Sequence, residues 1–139
     1  MVEETLVLIK PDAFSKHHVG EIINCYETAG FDILAMKMLQ MDERIVSKHY
    51  VEHIGRPYYD DLRGFMTSGP LIAMVLSGEN AIQRVRDLNG KTNPLEAAEG
   101  TIRKKFAESG RRNAVHASDS QESAQREIHI FFSGAEIYD

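Results

Sequence analysis

Apolar and polar positions along the chain change period several times, and each change marks an element. Residues 5–9, Thr5-Leu6-Val7-Leu8-Ile9, are apolar and β-rich without alternation, the pattern of a strand covered on both faces, and Pro11 stops it. Val19, Ile22, Ile23 and Tyr26 then recur at helical spacing, which predicts a helix over 19–29 closed by Gly30. Phe31, Ile33 and Ala35 alternate with Asp32, Leu34 and Met36, a second strand reaching about residue 40. Asp42 is placed to cap a helix with the face Ile45, Val46, His49, Tyr50 and His53, ended by Gly55, and a short helix follows through Leu62 and Phe65. Residues 71–76 are a third buried strand, entered through Gly69-Pro70 and left through Ser77-Gly78. Ala81, Ile82, Val85 and Leu88 mark another helix, stopped by Gly90. The glycine, asparagine and proline content of 89–100 predicts a loop, followed by a helical patch over 102–106, a fourth strand over 113–117 and a last helix to about residue 128. Ser118 with Gln121 has the capping-box spacing for that helix.

Two strand-helix-strand units with added helices are the split βαβ, ferredoxin-like pattern. The expected fold is therefore α+β, with a four-stranded antiparallel sheet and helices packed on one face. A doubly wound parallel sheet is the alternative, weakened by the small number of strands.

At 139 residues, 42% hydrophobic and 27% charged, the chain suits one domain spanning 1–139, large enough to bury a core without staples. The single Cys25 forms no internal bridge and supplies no thiolate cage. The start, Met1-Val2-Glu3-Glu4, lacks the basic and apolar regions of a secretory signal, and the six-residue run at 71–76 is too short to span a bilayer, so a cytoplasmic protein is expected. A net charge of -5 argues against a nucleic-acid backbone as main partner. Between residues 91 and 112, however, six basic residues face three acidic ones, a balance that suits a small anion. Lys104 and Lys105 read equally well as a solvated helix face.

Gly90-Lys91-Thr92 resembles the end of a P-loop, but Val85 stands where its first glycine belongs and the segment follows a helix, so a P-loop is rejected. His49-Tyr50-Val51-Glu52-His53 matches H-x-x-E-H, a zinc-peptidase spacing, without an evident third ligand; these histidines read as helix-face residues lining or flanking a cleft. In Arg111-Arg112-Asn113-Ala114-Val115-His116-Ala117-Ser118-Asp119, a histidine at a strand end follows two arginines able to neutralise an anion. His116 is thus either a nucleophile or a half-buried core residue. Lys10 lies where the chain leaves the first strand, a ligand contact or a plain turn, and Tyr58 is either a stacking surface or helix packing.

Taken together, Thr5-Leu6-Val7-Leu8-Ile9-Lys10-Pro11-Asp12, Arg56-Pro57-Tyr58-Tyr59, Ser68-Gly69-Pro70, Thr92-Asn93-Pro94, Gly100-Thr101-Ile102-Arg103 and residues 113–119 resemble the nucleoside diphosphate kinase family, from Thr5 to Phe132. The resemblance implies that His116 takes the γ-phosphoryl of a nucleoside triphosphate and passes it to a nucleoside diphosphate, ping-pong through phosphohistidine. It implies that Lys10, Arg86, Thr92 and Arg103 bind phosphates, that Asn113 and Lys10 reach the ribose, that Tyr58 stacks on the base, that Tyr50 lies near the histidine, and that Glu127 orients it. Mg2+ is implied as a passenger on the nucleotide phosphates, with no protein cage. Ala117 stands where the family usually has Gly, Tyr58 where Phe is commoner, and Glu99 where Pro is usual; the chain ends soon after Phe132. A homo-oligomer is implied, tetramer and hexamer both remaining open. Stacking tolerates any base, so broad nucleotide use is expected, with Tyr58→Phe nearly silent. A binding module for single-stranded RNA or an effector and a zinc hydrolase are the rival readings.

Overall fold

The computed structural model describes residues 1–139. In chain order the elements are β1 (Val2–Ile9), α1 (Pro11–Ser15), α2 (Val19–Thr28), β2 (Asp32–Leu39), α3 (Glu43–His49), a 3-10 turn (Val51–His53), α4 (Tyr59–Met66), β3 (Leu71–Glu79), α5 (Ala81–Asn89), α6 (Ile102–Phe106), β4 (Val115–Ala117), α7 (Gln121–Phe131) and a second 3-10 turn (Gly134–Glu136). The sheet order is β2-β3-β1-β4. Every neighbouring pair is antiparallel, which sets aside the parallel alternative and gives the ferredoxin-like arrangement.

Helices cover both faces of the sheet, a correction to the one-face expectation. Leu6 and Leu8 pack with Val46, Phe65, Ile128 and Phe131 on one side, while Val7 and Ile9 pack with Ile22, Tyr26, Val85 and Ile102 on the other. An apolar run without alternation requires this, because successive side chains of a strand point to opposite faces. No helix is long and apolar enough to cross a membrane.

Several boundaries differ from the sequence reading. β1 begins at Val2 instead of Thr5, and β3 is not left through Ser77-Gly78 but runs on to Glu79, because Ser77 and Gly78 pair with Glu4 and Glu3 of β1; β4 is confined to Val115–Ala117. Pro11 opens α1 instead of merely ending β1, since its fixed φ and missing N–H suit the first helical position. The helix begun at Asp42, whose carboxylate accepts the Ile45 N–H at 2.9 Å, stops at His49. Tyr50 leaves helical geometry at φ -106 and ψ 33, and His53 falls on the 3-10 turn instead of the next α-helical turn. Ser120, not Ser118, caps α7, accepting the Ser123 N–H at 3.1 Å; the Ser118 hydroxyl is committed elsewhere, and α7 runs on to Phe131.

Candidate active site

The end of β1, the approach to β4 and the loop after α5 meet over a cavity of about 1290 Å3. Lys10 is buried at its edge: its Nζ donates to the Arg111 carbonyl and to Asn113 Oδ1, both at 2.8 Å. Burial lowers its pKa to about 8; Asp12 opposes the shift, while Arg103 and Arg111 add to it. The lysine is therefore a fixed cation, neither a plain turn residue nor a free surface charge. Asp12, set in the first turn of α1, accepts the Ala114 N–H at 3.0 Å and so holds Ala114 at φ 72, a left-handed conformation that turns the chain into β4.

Arg103 staples three segments. Its Nη1 donates to the Gly90 carbonyl at 2.9 Å, Nη2 to the Val115 carbonyl at 2.8 Å and Nε to the Asn113 carbonyl at 3.4 Å. Its five N–H donors leave capacity for a ligand, and a guanidinium stays charged here although burial lowers its pKa. Arg86, exposed in the last turn of α5, lines the cavity and repels Arg103. A cluster of like charges of this kind has the electrostatics suited to an anion. Thr92 lines the same cavity from the loop, as do Asn113 and Tyr50. Burial and the nearby Glu127 carboxylate push the Tyr50 hydroxyl pKa up, so the phenol remains protonated. Of the two arginines before β4, Arg111 lines the cavity, whereas Arg112 turns to a second, smaller one and lies 4.9 Å from the Phe65 ring centroid.

His116 sits on β4 opposite Leu8 of β1, a quarter exposed, and lines the cavity. Its Nε2 lies 2.8 Å from Glu127 Oε1, projected from α7 behind the strand. The Ser118 hydroxyl donates to the same Oε1 at 3.0 Å and accepts the Leu6 N–H at 3.3 Å, which ties the carboxylate to β1. A carboxylate only accepts, so it fixes the tautomer with the proton on Nε2 and leaves the Nδ1 lone pair unused. Glu127 itself is buried and does not line the cavity.

The sequence names His49 only as a helix-face residue and does not show that it meets His116. His49 is buried, with neither ring nitrogen hydrogen-bonded, and stands edge-on to the His116 ring with centroids 4.7 Å apart. Burial, then the His116 and Arg126 charges, hold its pKa well below the usual imidazole value, so it is neutral. Of the H-x-x-E-H pair His53 lines the cavity, and His49 flanks it behind the His116 ring, in keeping with histidines that line or flank a cleft. His49, His116 and Glu127 gather their ligand atoms within 4.8 Å, but neither Glu52 nor His53 joins them, and the zinc-peptidase reading loses its geometry. Tyr58, at the N-terminus of α4, presents its ring to the cavity; its hydroxyl is hydrogen-bonded to His53 Nδ1, and the Arg111 guanidinium lies 5.8 Å from its centroid. That engaged hydroxyl gives Tyr58 a contact that the Tyr58→Phe substitution would remove. A pair five residues apart gives no periodic signal in the sequence.

Fold and cavity together define an α+β protein with an anion-accepting cleft and an imidazole held by a carboxylate. The family model described as nucleoside diphosphate kinase matches residues 3–137. The nucleoside diphosphate kinase of Methanocaldococcus jannaschii is 52% identical over 139 residues, covering 100% of this chain and 99% of its own, and that of Listeria monocytogenes is 50% identical over 136 residues, 98% and 92% covered. Among solved structures, the Aquifex aeolicus nucleoside diphosphate kinase superposes with a TM-score of 0.96 at 45% identity, covering 99% of both chains. The Halobacterium salinarum nucleoside diphosphate kinase in complex with CDP also gives 0.96, at 38% identity over 100% of this chain and 93% of its own. The chain belongs to the nucleoside diphosphate kinase family.

Proposed function

We propose that this chain, as one domain over 1–139, transfers the γ-phosphoryl group of a nucleoside triphosphate to a nucleoside diphosphate through His116. The observation that carries the reading is the His116–Glu127 contact at 2.8 Å, which commits Nε2 and frees Nδ1 toward an electropositive cleft. In the first half-reaction the Nδ1 lone pair attacks the γ-phosphorus and the bond to the β,γ-bridging oxygen breaks, releasing the diphosphate. In the second, a terminal oxygen of an incoming diphosphate attacks the same phosphorus and the N–P bond breaks. The Nε2 proton stays in place throughout, hydrogen-bonded to Glu127, so positive charge developing on the ring is stabilised without a proton transfer.

Lys10, Arg86, Thr92 and Arg103 are read as phosphate contacts, with Asn113 and Lys10 reaching the ribose, Tyr50 beside the histidine and Tyr58 stacking on the base. These contacts address groups that all nucleotides share, so purine and pyrimidine substrates are both accepted. Mg2+ enters as part of the substrate: it prefers oxygen ligands and commonly bridges phosphates, whereas the gathered donors here are two imidazoles and one carboxylate. The protein is read as cytoplasmic, with neither membranes nor nucleic acid as main partners. A homo-oligomer, tetramer or hexamer, is supported by edge strand β2, where Met36 and Met38 are half or more exposed. Initial rates with a triphosphate donor and a diphosphate acceptor test the function. Parallel double-reciprocal lines with several bases are expected, and intersecting lines, or transfer surviving in His116→Ala, would reject it.

A further inference from the structure

Tyr58 lies at the cavity mouth with more than a third of its surface open, 37% exposed, a position where a ring is free to swing. Two contacts restrain it. Its hydroxyl is bonded to His53 Nδ1, and the rings lie 5.6 Å apart at 62°. Over one face stands the Arg111 guanidinium, itself 3.6 Å from Asp61 Oδ2. His53 is fixed in turn by its backbone: its N–H donates to the Tyr50 carbonyl at 2.9 Å, its carbonyl accepts the Arg56 N–H at 3.0 Å, and the Arg56 carbonyl accepts the Tyr59 N–H at 3.0 Å. Gly55, at φ 88, permits the reversal that brings His53 back onto Tyr58.

We infer that His53 is a positioning residue for the nucleobase: it locks the Tyr58 ring through the phenol hydroxyl, so that nucleotide affinity depends on the pair and not on stacking area alone. This rests on the reading of Tyr58 as the base platform. A ring held in one orientation loses less freedom on binding, which is how preorganisation raises affinity. The tether works in either protonation state of His53, because Nδ1 accepts from the phenol when neutral and donates to its oxygen when charged. His53 touches no reacting atom. Its contribution is to the binding of every base alike.

The test is a double-mutant cycle read from dissociation constants of ADP and CDP by calorimetry. His53→Ala and Tyr58→Phe are each expected to weaken both nucleotides about 3- to 10-fold, the worth of one hydrogen bond. The double variant should be no weaker than either single one, and His53→Asn, whose amide oxygen replaces Nδ1, should recover most of the loss. Additive losses, unchanged constants in the single variants, or no recovery in His53→Asn would overturn the inference. Binding is measured without turnover, so the two readings fail separately: an absent His116 phosphate with the coupling intact removes only the phosphotransfer mechanism, and additive losses with the phosphate present remove only the tether.

Discussion

Lys10 and Ala114 show at the scale of single residues how stability is given up around the site. An ammonium whose folded pKa is about 8, below its ordinary 10.5, binds fewer protons in the folded chain than in the unfolded one. Its contribution to stability is therefore present above pH about 10.5 and lost as pH falls through about 8. Nucleotide affinity runs the opposite way: KM should rise as pH climbs through about 8, because the phosphates lose a cation, and the Lys10→Met variant should lack that limb. A KM flat from pH 7 to 10 would contradict this assignment. Ala114, held at φ 72 by Asp12, carries strain of about 1 kcal/mol that glycine would not. Ala114→Gly should raise the urea midpoint by a corresponding amount. A lower midpoint would mean that the added freedom of the unfolded chain outweighs the relief.

Elements were readable in the sequence where burial pattern alone decides them. From Leu6 to Ile9, β1 is apolar at every position because both of its faces are covered there, and α5 shows the spacing of one covered face. α1 was not readable because Pro11 serves as strand stop and helix start at once, and the break after α3 depends on Tyr50 leaving helical geometry for reasons outside its own sequence window. For the site, the residues of the 113–119 motif were readable as a linear signature, whereas the His53–Tyr58 tether and the Ser118–Glu127 bond arise only when a turn or a strand-helix return brings them together. The junction of α5 and α6 offers a test at this scale. Gly90 has φ 86, a Cβ there would stand 2.6 Å from Thr101 Oγ1, and its carbonyl is held by Arg103. Gly90→Ala should lose about 1–3 kcal/mol of stability and weaken nucleotide binding together, since Thr101 caps the helix that carries Arg103. Unchanged denaturation and affinity would show that the junction is softer than its geometry implies.

Across the whole molecule, β1 is the common support: one face backs α7 and the other α5, and its register sets Leu8 beside His116. Through α7 the core therefore reaches the nucleophile, because Glu127 precedes Ile128, which packs into the core beside Leu6 and Leu8. Ile128→Ala should cost about 2–5 kcal/mol by leaving a cavity and should also slow transfer by loosening Glu127, whereas Ile22→Ala, on the opposite face, should cost similar stability with less effect on rate. Equal rate losses in the two variants would argue against this route. The central claim is that Glu127 commits Nε2 of His116 and leaves Nδ1 to carry the phosphoryl group. NMR of the protein labelled with 15N-histidine, treated with MgATP in the absence of acceptor, tests it directly. One phosphoryl group on Nδ1 of His116, discharged by added nucleoside diphosphate, is expected; a phosphoryl group on Nε2, or labelling that persists in His116→Ala, would contradict it.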